Sequence, residues 1–127
     1  MTLRSALRLL LAFAVVAASL AASNDAGKPI TVKVCVLDSA CAFIKGLKRP
    51  INRECATACA KAGFPLVILA ENGTIYWPIA GSTPSAGQTE KLLPFAGQRV
   101  TASAKVFPRG GSSALIIEKI EPLSDKK

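Results

Sequence analysis

Histidine is absent from the 127 residues, and that absence removes the commonest proton-transfer chemistry. No Ser-His or Cys-His pair can form, nor a mixed Cys/His zinc site or a C-x-x-C-H haem attachment. Acidic residues are few, eight against sixteen Lys and Arg. Asp38, Glu54, Glu71, Glu90, Glu118 and Glu121 are scattered, so nothing pairs two of them across a cleft as acid and base. The cations are equally dispersed: only Lys48-Arg49 and Lys126-Lys127 are adjacent, which leaves no polybasic patch and makes solubility the simplest reading of the charge. No phosphate-binding loop is present, since Gly110-Gly111 is a short connection with no helix after it. These absences argue against an enzyme and against a nucleic-acid partner.

What is present begins with a leader. Arg4 and Arg8 precede an uncharged apolar run, Leu9 to Ala22, and small residues Ala21, Ala22 and Ser23 close it, the order of a secretory signal. The run is shorter than the roughly 20 residues a spanning helix needs. No cysteine ends the leader to be acylated, and no later segment is long and apolar enough to span. The reading is a signal peptide over 1–23, a flexible lead-in over 24–29, one domain over 30–122 and a polar tail over 123–127. The product is then a periplasmic or secreted monomer with no stable membrane insertion. Its formal charge falls from +8 to +6 with the loss of Arg4 and Arg8. A domain of this size buries its core incompletely and gains from covalent staples.

Along the domain, Val32, Val34 and Val36 alternate with Thr31, Lys33 and Cys35, the period of a half-buried strand. Ile51 to Ala62 reads as a short helix, with Asn52 as N-cap, Glu54 in its first turn and Gly63 after its end. Runs at 65–70 and 74–79 flank Asn72-Gly73, a strong hairpin signal. Asn72-Gly73-Thr74 also fits a glycosylation acceptor, but the turn explains it more simply. Residues 81–87 form a loop, and 89–95 a helical turn. Gln98 to Phe107 alternates again, and Pro108-Arg109-Gly110-Gly111 joins it to a last strand at 114–120. Five strands without strand-helix alternation predict an all-β, five-stranded OB-like barrel with a short helix inserted after strand one.

The segments Val36-Leu37-Asp38-Ser39-Ala40-Cys41, Cys55-Ala56-Thr57-Ala58-Cys59-Ala60-Lys61-Ala62-Gly63, Gly97-Gln98-Arg99-Val100-Thr101 and Arg109-Gly110-Gly111 resemble a family of small exported bacterial proteins of uncertain function. The resemblance covers nearly the whole mature chain. It implies an OB-like barrel with a cysteine-bearing insertion after the first strand, and no catalytic residue. It also implies that any shared role belongs to Cys41, Cys55 and Cys59, because Cys35 stands where relatives would carry a polar non-cysteine residue.

The four cysteines are spaced C-x5-C-x13-C-x3-C. In an exported chain they are first candidates for disulfides, with three possible pairings. One bridge from Cys41 to Cys55 or Cys59 would tie the insertion to the barrel end, contributing about 3 kcal/mol in the chain-entropy model. The alternative is a thiolate metal site on Cys41, Cys55 and Cys59, for zinc, copper(I) or an iron-sulfur cluster, although the spacing matches no zinc-ribbon pattern. A third reading, exchangeable thiols, is weakened because C-x-x-C is missing and Glu54 opposes the thiolate that Arg53 would favour beside Cys55. Asp38, ending the first strand, reads as a turn or helix-capping acceptor. Tyr76 and Trp77 are adjacent and so face opposite sides of their strand. With Arg109, and with Phe43 or Phe107 as helpers, they are possible ligand contacts at the barrel surface. The sequence thus predicts a non-enzymatic exported binding or accessory module stabilised by disulfides, without a cofactor, its partner an unknown protein or small molecule. A cysteine-based metal-binding or thiol-redox protein is the alternative.

Overall fold

The computed structural model describes residues 26–44 and 52–124. The signal peptide, the first part of the lead-in, the middle of the insertion and the last three residues of the tail lie outside them. Five strands, β1 (Lys28–Asp38), β2 (Leu66–Ala70), β3 (Ile75–Pro78), β4 (Arg99–Arg109) and β5 (Ser112–Pro122), close into a barrel in the order β1-β2-β3-β5-β4. All pairs are antiparallel except β3 with β5. The all-β, OB-like architecture expected from the sequence is therefore present.

The long β1 serves two neighbours: its first part pairs with β4, from Lys28 opposite Val106, and its second with β2, ending at Asp38 opposite Leu66. Pairing thus begins two residues before the Ile30 boundary read from the sequence. Gly27 precedes it at φ 73°, under the Phe107 ring, where a Cβ would lie 2.5 Å from Cζ. The hairpins follow the turn chemistry. Asn72 Oδ1 accepts from the Thr74 amide at 3.0 Å, and Gly73 has φ 87°. Gly110 and Gly111, both at positive φ, join β4 to β5. A register shift between Ser103 and Ala104 bends the β4-β5 ribbon, the curvature that closure requires.

Alternation divides the apolar residues into two clusters. Val34 and Val36 join Leu66, Ile68, Val100, Ala102, Ala104 and Leu115 inside the barrel. Cys35 and Leu37 join Val67, Leu69 and Ala42 on its outer side. The polar face expected for Thr31, Lys33 and Cys35 therefore turns apolar midway: Cys35 is 3% exposed. Helical segments cover the barrel, the first on the outer cluster through Ala42 and the others on the inner one. A short helix (Ser39–Ile44), here α1, follows β1 directly; α2 (Arg53–Lys61) delivers Ala56 and Ala60 into the inner cluster. Between β3 and β4, α3 (Thr89–Leu92) and a 3₁₀ turn (Leu93–Phe95) contribute Leu92, with Ala96 just beyond. No helix among the described residues is long and apolar enough to cross a membrane.

Candidate functional site

The insertion after β1 starts at Asp38. Strand alternation places its side chain in the inward row of Val34 and Val36, and it is fully buried. It is also the residue before α1. Its Oδ1 accepts from the Cys41 amide at 2.8 Å, the N-cap bond that satisfies a helix-start donor. The capping role read from the sequence is therefore present, on a helix that the sequence reading does not include. The signal is there: Asp38-Ser39-Ala40-Cys41 places an acceptor three residues before the amide it caps. The second oxygen, Oδ2, is buried with no hydrogen-bond partner.

On α2 the cap is Asn52, whose Oδ1 accepts from the Cys55 amide at 3.0 Å. Ala56 and Ala60, i and i+4, face the core, so Cys55 and Cys59, also i and i+4, form the adjoining row. Small alanines let the helix lie close to the barrel, and Gly97 lets it lie closer still. Gly97 has φ 73°, donates its amide to the Val36 carbonyl at 2.7 Å, and would carry a Cβ 2.5 Å from the Arg53 Cα. The start of α2 thus rests on a residue bonded to the strand that ends in Asp38.

These placements bring three sulfurs together. The Sγ atoms of Cys41, Cys55 and Cys59 lie within 4.8 Å of one another, with Cys41 to Cys55 at 3.4 Å, and all three residues are half-buried. No disulfide joins any cysteine, and no pair stands at bonding distance. The bridges expected from the sequence are thus not formed in this structure. Cys35, packed in the outer cluster, is not among the three grouped sulfurs.

The Cys41 thiol is pushed up to about 12 from an ordinary 9.0, first by the adjoining Asp38 carboxylate, then by burial and by Cys55. Cys59 is also raised, by burial and then by the charge on Asp38. Both are held protonated at neutral pH in the metal-free state, opposite to the low-pKa thiol of an oxidoreductase. Metal-free folded protein should accordingly react at Cys41 with iodoacetamide at pH 8 more slowly than urea-unfolded protein, as read by mass spectrometry of the peptides. Because the folded pKa is the higher one, folded protein holds an extra proton between about 9 and about 12. Unfolding free energy should therefore fall as pH rises through that window.

The other predicted contacts are dispersed. Tyr76 packs against the inner cluster and Trp77 against the outer one, as adjacent strand residues must. Phe107 covers Gly27, and Phe43 is 65% exposed on α1. Arg109 is exposed at the end of β4, its Nη1 donating to the Pro108 carbonyl at 2.9 Å. Tyr76 and Trp77 therefore do not share one stacking surface. An open groove of about 300 Å³ beside Leu92 and Ile117 has Lys91, Glu118 and Lys119 at its rim, a mixed lining that points to no ligand class. Compared with protein-family models, curated proteins and solved structures, the chain matches none. The family resemblance read from the sequence is supported only by the barrel and the helix after strand one.

Proposed function

We propose that this chain is a non-enzymatic exported binding module, in which the barrel is the scaffold and the insertion over 38–63 holds a soft metal ion on Cys41, Cys55 and Cys59. The observation that carries this reading is the convergence of three sulfurs, from two helices, within 4.8 Å. Metal–sulfur bonds of about 2.3 Å separate the sulfurs by roughly 3.8 Å in tetrahedral and roughly 4.0 Å in trigonal geometry, so only small shifts would seat an ion. Binding displaces thiol protons to solvent and joins α1 to α2, so it should also stabilise the fold.

A second reading is favoured by the 3.4 Å approach of Cys41 to Cys55: a disulfide there would staple the insertion instead. It leaves Cys59 beside the bridge as a thiol able to exchange with it, which makes an odd cluster a poor staple. Intact mass of protein recovered from its native compartment, with and without alkylation under denaturing conditions and alongside metal content, separates the two. The metal reading expects a stoichiometric ion and alkylation at all three cluster cysteines. Absence of metal with no alkylation of Cys41 and Cys55 before reduction would establish the staple.

A further inference from the structure

Three thiolates leave the identity of the ion open, because a trigonal S3 site suits copper(I) and a tetrahedral site with one further donor suits zinc. A further donor adjoins the cluster, outside the group of three sulfurs that lie within 4.8 Å of one another. Asp38 is fully buried and ends β1 three residues before Cys41. Its Oδ1 is engaged by the Cys41 amide at 2.8 Å, which fixes the carboxylate against the first turn of α1. The partner oxygen Oδ2 is equally buried and has no hydrogen bond. A buried carboxylate oxygen without a partner is costly, and helix capping requires only Oδ1. A cation held by the neighbouring thiolates would satisfy Oδ2.

Resting on the metal-binding reading, we infer that Asp38 is the fourth ligand, giving an S3O tetrahedral site for a divalent zinc-type cation rather than copper(I). Charge favours the same choice. Three thiolates and one carboxylate carry four negative charges, of which a divalent ion offsets two and a monovalent ion one, and uncompensated buried charge is penalised. The charged groups nearest in sequence on α2, Arg53, Glu54 and Lys61, sum to one positive charge, which still leaves the site negative and the divalent ion favoured.

The test titrates reduced full-length mature protein with Zn(II), Co(II) and Cu(I), comparing wild type with Asp38→Asn. Asparagine caps helices as well as aspartate, so α1 should persist, and circular dichroism verifies folding. Wild type should bind one Co(II) with tetrahedral d–d bands and sulfur-to-cobalt charge transfer. Asp38→Asn should shift those bands and weaken Zn(II) by at least about 10-fold, while Cu(I) affinity changes less than about 3-fold. X-ray absorption of the wild-type zinc form, which needs no variant, should show one oxygen at about 2.0 Å and three sulfurs at about 2.3 Å. Unchanged cobalt bands and zinc affinity in the variant would overturn the role of Asp38 and leave it a helix cap. Wild type that takes Cu(I) but no Zn(II) would overturn the inference while keeping the soft-metal reading. Failure to bind any of the three ions would overturn both.

Discussion

Replacing Gly97 by alanine should cost about 3 kcal/mol or more of unfolding free energy, although the change adds one methyl group at a residue outside the cysteine cluster. Two effects add. Left-handed backbone costs a non-glycine residue roughly 1–2 kcal/mol, and Gly97 has φ 73°. The new Cβ would also lie 2.5 Å from the Arg53 Cα, a backbone atom that cannot swing aside, and overpacking of that kind costs typically about 1–3 kcal/mol. Gly73→Ala isolates the first effect, since Gly73 has φ 87° and a Cβ there would meet nothing within 4 Å. It should lose only about 1–2 kcal/mol. Urea unfolding of both variants checks the difference. Equal losses would show that α2 is not braced by its close approach to Gly97. Because the clash pushes on the first turn of α2, Gly97→Ala should also weaken Co(II) binding, whereas Gly73→Ala should not.

The second large effect concerns the cluster itself. Cys55→Ser should weaken zinc binding by more than about 100-fold, beyond the 10–100-fold typical of losing an outer-shell partner, and should reduce the sulfur-to-cobalt charge-transfer band. Cys41→Ser and Cys59→Ser should do the same. Cys35→Ala is the contrasting case: its side chain is 3% exposed in the outer apolar cluster, so metal binding should persist while stability falls through lost packing. Chelator competition and cobalt spectra decide the matter. Equal losses in Cys35→Ala and Cys55→Ser would mean that the effect is general destabilisation.

The barrel is legible in the sequence because its signals are local. Alternation in β1 and β4, Asn72-Gly73 and Gly110-Gly111 at the hairpins, and the Asn52 cap of α2 each depend on residues within a few positions of one another. The sequence puts α2 between 51 and 62, close to the observed Arg53–Lys61. Periodicity does not reveal α1, since Ser39–Ile44 is too short to show a period; its one local signal is the Asp38 cap. Alternation puts Cys35 on a polar face because Thr31 and Lys33 share it; that the same face becomes a second apolar layer depends on Val67, Leu69 and Ala42, which come from elsewhere in the chain.

By itself, then, the sequence determined the five strands, the turns between them, the helix bearing Cys55 and Cys59, and the chemistry unavailable without histidine. Only the tertiary structure decided that Cys41, Cys55 and Cys59 converge while Cys35 stands apart, that the Asp38 carboxylate is buried with one oxygen unpartnered, and that Gly97 admits the α2 backbone. The reason is physical: periodicity and turn chemistry act over a few bonds, whereas each of these features is set by the packing of an inserted helix against strands far from it in sequence.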